Sequence, residues 1–315
     1  MSRAPAHSPP AAAERSLAVA GLRTRSVADH GLLRVASGPA RGRTRYLVGA
    51  LSLAVVTLML FPIVVSFLSS IKTPAEAAAS PPGYLPSVLS IDNYLKVYQY
   101  QAGLPTYLFN SLAVAFLTIV FCLVLAVPAG YGLACFRIRA KEVLFLVLLS
   151  GLMVPYQALL TPLYLMFTGL HLANTHIGLA VVHTILQLPF SVYLMRNSFE
   201  AVPRELEEAA VVDGCNSLQA LWKIFLPAVR PAMVTVVLFA FITSWNEFIG
   251  ALIFMNKETQ FTIPIMLVGV RQGHFGAIDW GALQAGVMIA IFPCLLIYLL
   301  LQKYYVSGFL SGALK

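Results

Sequence analysis

Charged residues are scarce in this chain. Asp, Glu, Lys and Arg make up 11% of its 315 residues, against about 25% in an ordinary soluble domain. With 59% of the residues hydrophobic and a mean hydropathy of +0.80, that shortage excludes a water-soluble globule of this size. Cysteine is also sparse. Cys122, Cys135, Cys215 and Cys294 lie far apart with no C-x-x-C pair, so neither a disulfide framework nor a zinc site is supported, and they read as small packing residues. No G-x-x-x-x-G-K-[ST] phosphate loop occurs, which excludes ATP binding by that route. H-E-x-x-H and G-x-S-x-G are missing too, and with them the usual signatures of a polytopic hydrolase. The net charge of +8 does not point to nucleic acid, because the basic residues cluster beside hydrophobic runs rather than on one soluble face.

What the chain does contain is long apolar runs, and a bilayer-spanning helix needs about 20 such residues. Tyr46–Ile71 carries no charge and is too long for a signal-peptide core of about 7–15 residues, so it reads as a retained first span. A second lies near 108–131. From Val143 to Met195 there is no Lys, Arg, Asp or Glu, enough for spans near 143–167 and 176–195 with a connection where Gly169, His171 and Asn174 gather. The fifth and sixth fall near 233–255 and 280–302. The expected fold class is therefore an all-α membrane protein of six transmembrane helices. Prolines 62, 128, 155, 162, 189 and 293 lie in or near these spans, where neighbouring helices or water can re-satisfy the freed backbone groups.

Orientation follows from the Lys and Arg bias. Of the 21 Lys and Arg residues, all but Lys72, Lys96, Lys257 and Arg271 fall on one side of this topology. That side is read as the cytoplasm, with both termini in it. Residues 1–45 are rich in Ala, Arg, Ser and Pro without an apolar period and are expected to form a disordered cytoplasmic tail; 46–315 form the membrane domain. An external loop at 72–106 holds a candidate short helix at Ile91–Tyr98.

The most informative stretch is the cytoplasmic segment 198–228. Pro203 suits a first helical position, and Glu205, Glu207 and Glu208 favour the positive end of that helix. Asp213-Gly214 stops it, glycine permitting a left-handed turn. Asn216 or Ser217 can cap a second helix whose Leu218, Leu221, Trp222 and Phe225 are expected on one apolar face, with Pro227 at its end. The pattern describes a helix–turn–helix between spans four and five. On pattern alone it is equally an ordinary amphipathic connector.

The spacing is more specific. Glu208-Ala209-Ala210, three residues, Gly214, nine residues, Ile224, one residue, Leu226-Pro227 resembles the E-A-A-x3-G-x9-I-x-L-P loop of ATP-binding-cassette importer permeases. Phe109-Asn110-Ser111, Tyr131–Phe136 with Arg137-Ile138-Arg139, Pro162-Leu163-Tyr164, Ser244-Trp245-Asn246-Glu247-Phe248 and the tail from Gln302 are similar to the sugar-importer subfamily, of the maltose and glycerol-phosphate type. The resemblance covers roughly 46–315. It departs at the tail Gly308-Phe309-Leu310-Ser311-Gly312-Ala313-Leu314-Lys315, where G-L-T-A-G-A-V-K-G is more usual, and at Glu247, where Asp is common. It implies a non-catalytic transport subunit without cofactor in a prokaryotic cytoplasmic membrane. It also implies a second, different permease, two cytoplasmic ATPase subunits that receive Glu208, Ala209, Ala210, Asp213, Gly214, Ile224, Leu226 and Pro227, and an extracytoplasmic solute-binding protein.

Polar residues inside the spans complete the reading. An ionisable residue there is costly and functional by default. Glu247, with Trp245 and Asn246, is a candidate for the translocation path, since an aromatic face with hydrogen-bonding neighbours suits a sugar; the alternatives are snorkelling or pairing with a neighbouring span. His171, His176 and His183 lack a further placeable metal ligand and read as hydrogen-bonding residues, and Gln157 and Gln187 as helix-packing glue. Two competing classes remain: an ion-gradient-driven transporter, which predicts inverted repeats and several intramembrane acids where only Glu247 is found, and an importer of a non-sugar solute.

Overall fold

The computed structural model describes residues 42–313 except 82, 204, 207, 209–211, 213 and 273–277, with backbone alone at 42–44 and 303–313. The expected N-terminal tail thus falls almost wholly outside the described residues, as do Ala209, Ala210 and Asp213 of the cytoplasmic loop. By contacts the chain falls into two units, Met1–Leu60 and Phe61–Lys315. The first is represented by the opening of helix α1 (Gly42–Ser70), whose apolar side chains between Tyr46 and Leu60 are exposed. All that follows concerns the second.

Helices α2 (Asp92–Tyr98), α3 (Leu104–Cys135), α4 (Lys141–Ser150), α5 (Tyr156–Gly169) and α6 (His176–Glu200) come first. They are followed by α7 (Ser217–Ala228), α8 (Arg230–Asn246), α9 (Ile249–Phe254), α10 (Ile263–Val270) and α11 (Trp280–Ala313). No strand occurs among the described residues, only an isolated bridge between Gln272 and Ile278. Among the described residues four helices are long and apolar enough to cross a membrane: Arg45–Ser70, Leu104–Cys135, His176–Glu200 and Trp280–Gln302. The count reaches six if each of two bent pairs is one span.

The first bend differs from the uninterrupted span expected at 143–167. The second falls ahead of the span expected at 233–255, where Pro227 was expected to end the loop helix. Each has a local cause. At 143–167 the chain forms α4 and α5, bent by 100° to each other. Val154 is extended (ψ 122°) because Pro155 follows it, and proline disfavours helical geometry in the residue before it. Helices α7 and α8 meet at 77°, where Val229 leaves the helix two residues after Pro227. The expected span 233–255 is divided as well, into α8 and α9. No proline intervenes there, and Glu247 supplies the break, as described below. By contrast Pro62, Pro128, Pro162, Pro189 and Pro293 sit inside continuous helices.

The packing centre is the contact of α3 with α6, the most extensive between any two helices. Gly130 makes it possible. A Cβ there would lie 2.6 Å from the Met195 Cβ and 2.9 Å from the Arg196 amide nitrogen, so the two backbones approach as closely as small residues allow in membrane helices. At the start of α11 Lys96 reaches Asp279 at 2.8 Å. Burial alone would raise the Asp279 pKa, but hydrogen bonds from Lys96 and the Ala282 N–H outweigh it and hold the carboxyl below its ordinary range. Apolar side chains on the outer faces of the helices, such as Phe116, Val124, Leu165 and Leu295, are exposed, as a surface meant for lipid requires.

Gly130→Val inserts atoms where α6 leaves no room and should destabilise the bundle by about 1–3 kcal/mol, the usual cost of overpacking. The check is a lowered unfolding midpoint in detergent, with Gly132→Val, which meets nothing within 4 Å, as the neutral comparison.

Candidate functional site

Two regions carry the sequence-selected residues. The first is the loop after α6. Gly214 adopts φ +75°, the left-handed turn that its sequence position demanded. Asn216 then caps α7: its Oδ1 accepts from the Gln219 amide at 2.8 Å, and Gln219 Oε1 accepts from the Asn216 amide at 3.0 Å. This is a reciprocal capping box. Downstream, Leu221–Phe225 form a π turn, and this corrects the expected single apolar face. Leu221 and Phe225 are buried, whereas Leu218 and Trp222 are 64% and 66% exposed. The wide turn splits four apolar residues into an inner pair and an outer pair.

The inner pair anchors the loop. Phe225 meets the Tyr131 ring edge-to-face at 5.1 Å and lies 6.2 Å from Phe199; Tyr131 and Phe199 are 5.5 Å apart. Tyr131 also donates to the Ser217 carbonyl at 3.3 Å. The ends of α3 and α6 and the body of α7 thus share one aromatic cluster. Ile224 and Leu226 are half-buried beside it, and Pro227 is exposed. Glu208 is exposed at the rim of a cavity of about 710 Å³ that Arg137, Arg139, Lys141 and Glu200 also line. Next to it Arg196 pairs with Glu142 at 2.7 Å and Glu200 at 2.8 Å, its guanidinium 4.1 Å above the Phe145 ring. Arg196 was not singled out from sequence, although an arginine closing an uncharged run, with Glu200 one helical turn on, was a usable signal.

The second region surrounds Glu247. The chain is extended there (ψ 124°), and the side chain replaces the interrupted helix ladder. Oε1 accepts from the Gly250 amide at 2.8 Å and Oε2 from the Ala251 amide at 2.9 Å, capping α9 as an acidic residue caps any helix start. His183 of α6 lies on the same carboxylate, Nε2 to Oε2 3.2 Å, while its Nδ1 is 2.8 Å from Ser244 Oγ. The two ring nitrogens of His183 thus face a carboxyl on one side and a hydroxyl on the other. Ser244 in turn receives the Thr118 hydroxyl of α3 at 3.4 Å. The cluster is interior: His183 is fully buried and the Glu247 side chain 10% exposed. Gly250 is required beside it, since a Cβ would stand 2.1 Å from the Tyr156 hydroxyl.

The neighbours of Glu247 diverge. Trp245 is buried, stacked on Phe241 at 5.4 Å and donating to the Ala290 carbonyl of α11 at 3.1 Å. Asn246 is exposed and donates back to Ile242. The three candidate path residues therefore point to three different surroundings. Of the alternatives for Glu247, pairing with a neighbouring helix is the one observed.

Residues 126–309 match the family model described as binding-protein-dependent transport system inner membrane component. The chain belongs to this family. The permease is 32% identical over 256 residues to the sulfoquinovosyl glycerol transport system permease protein SmoH of Agrobacterium fabrum, covering 81% of this chain and 89% of that one. It is 31% identical over 281 residues to the trehalose/maltose transport system permease protein MalG of Thermococcus litoralis, covering 87% and 97%. Among solved structures, a chain of a bacterial ABC transporter involved in the import of the acidic polysaccharide alginate superposes with a TM-score of 0.73 at 25% identity, covering 84% of the permease and 97% of that chain. The membrane-spanning helices and these relatives identify it as a multi-pass inner-membrane protein.

Leaving a buried hydrogen-bonding group without its partner typically costs about 1–3 kcal/mol. In this permease His183→Leu should therefore lower the unfolding midpoint strongly, and Glu247→Leu further still because the α9 cap goes with it. The double variant should lose less than the sum of the two. An additive double-mutant cycle contradicts the pairing.

Proposed function

We propose that this permease is one subunit of an ATP-driven importer and forms part of the translocation path for a carbohydrate. The observation that carries the coupling half of this reading is the division of α7. An inner pair, Leu221 and Phe225, is locked to the ends of α3 and α6, and an outer pair, Leu218 and Trp222, faces away with Glu208 and Gly214 nearby. A surface fixed to the bundle on one side and apolar on the other suits transmission of a rigid-body shift from a docked partner. In this reading Glu208, Ala209, Ala210, Asp213, Gly214, Ile224, Leu226 and Pro227 form the helix–turn–helix that a cytoplasmic ATPase subunit grips, and Glu208 pairs with a basic residue on it. Two such ATPases, a second permease of different sequence and an extracytoplasmic solute-binding protein complete the assembly.

The carbohydrate half rests on the relatives, whose names record sulfoquinovosyl glycerol, trehalose or maltose, and diacetylchitobiose as cargo. In this reading six spans follow if α4 with α5 makes one crossing and α8 makes another, with α7, bent from it by 77°, left in the cytoplasm. The Lys and Arg bias then sets both termini in the cytoplasm. Along the path we assign solute contact to Asn246 and the exposed edge of Glu247, while Trp245, occupied by Ala290, holds α8 to α11.

A catalytic reading of the Ser244–His183–Glu247 series is disfavoured on geometry. Ser244 is 6% exposed. The Gly250 and Ala251 amides, which would have to stabilise an oxyanion, are already engaged by Glu247. The series is a clamp.

The test is uptake into vesicles. Gly214→Asp and Glu208→Lys should each abolish ATP-dependent carbohydrate uptake while the protein still inserts in normal amounts. Unchanged uptake in either variant, or uptake that proceeds on a proton gradient without ATP, refutes the assignment.

A further inference from the structure

Helix α2 lies outside the regions discussed so far and has three distinct sides. At 100° per residue, Asn93 and Val97 fall on one side and both are fully buried. Asn93 donates to the Ser70 and Lys72 carbonyls at 3.1 and 2.8 Å, and Tyr94 shares a hydrogen bond with Ser70 at 2.9 Å, tying α2 to the end of α1. Asp92, Lys96 and Gln99 fall on a second side, all exposed, with Lys96 paired to Asp279. The third side carries Ile91, Leu95 and Tyr98 at 67%, 46% and 56% exposure. None of the described residues covers them.

The depth of α2 follows from its contacts with α11. A Cβ on Gly281 would lie 2.5 Å from Asn93 Oδ1, and one on Gly286 3.9 Å from Val97. Asn93 thus sits at the level of the first turn of α11 and Val97 more than one turn further in. Helix α2 therefore runs down beside the start of a membrane-crossing helix instead of standing off in water. Trp280, half-exposed at the head of α11, and Tyr98 are the aromatic type enriched at the membrane–water boundary. An apolar strip adjoining a polar strip at that level is the amphipathic division of a helix that meets lipid on one side only.

We propose that the Ile91–Leu95–Tyr98 face of α2 is a lipid-binding surface, seated among the headgroups and upper acyl chains of the leaflet at the α11 start, with Asp92, Lys96 and Gln99 directed to water. The partner is the bilayer itself, an assignment that rests on the depth of α2 beside the first turns of α11 and on the half-exposed Trp280 at its head. It makes α2 a fixed floor for the loop between the first two long helices. The same face offered to a soluble or membrane protein partner is the competing outcome.

The experiment is site-directed spin labelling of the full chain, with its native cysteines replaced, in vesicles of phosphatidylethanolamine and phosphatidylglycerol. Labels at Leu95 and Tyr98 should be relaxed by oxygen and shielded from the water-soluble nickel chelate; labels at Asp92 and Gln99 should reverse that ratio. Ile91 serves as a second site on the same face if a label at Leu95 prevents assembly. Nickel accessibility at Leu95 and Tyr98 equal to that at Asp92 would mean a water-facing docking surface, and shielding from both reagents a protein-covered one. Either result overturns the proposal.

Discussion

Lipid offers no hydrogen-bond partner to a backbone amide or carbonyl, so every break in a helix at membrane depth must be made good from within the protein. This constraint organises the permease. At Glu247 the ladder stops between α8 and α9, and a single carboxylate takes up the two amides that would otherwise be stranded. Holding a charged group there demands a partner in turn. His183 provides it, Ser244 satisfies the other nitrogen of His183, and Thr118 meets Ser244. One interruption thereby ties three helices together at a single polar knot, while the surrounding contacts stay apolar.

The end that carries α7 is built on the opposite chemistry. There the aromatic cluster of Tyr131, Phe199 and Phe225 joins α7 to α3 and α6 through ring-edge contacts, and Arg196 spans from Glu142 to Glu200 across the Phe145 ring. Packed rings are stiff and close-fitting, as protein interiors are. A push delivered to α7 would therefore be passed to both long helices with little lost in rearrangement. The two ends differ in kind: hydrogen bonds fix a bend in the membrane, and packing fixes a lever outside it.

Much of this could be read from the chain. Long uncharged runs placed α1, α3, α6 and α11, because apolar length is a direct measure of what a bilayer accepts. The turn at Gly214 and the cap at Asn216 were legible because their residue types have narrow backbone uses. The breaks were harder. Pro155 was visible as a candidate breaker, yet five other prolines left their helices continuous, and whether a proline bends a helix depends on which neighbours take up the freed carbonyl. The break at Glu247 had no local signal at all. The histidine that pairs with the carboxylate lies 64 positions away, and distance in sequence hides such pairs. The division of the α7 apolar face was missed for a different reason: an ordinary helical period was assumed across residues that wind more widely.

That wider turn sets the direction in which the loop faces. A π turn accommodates one residue more than an α turn, and each residue of an α-helix advances the face by about 100°. Were Leu221–Phe225 wound at ordinary pitch, everything ahead of it, Leu218 included, would swing by roughly that angle about the axis fixed by Phe225. The extra residue thus behaves as an indexing step between anchor and contact surface. It lets the inner side of α7 be shaped by the permease's own core and the outer side by whatever meets it, so the two can vary independently through the length of one short turn.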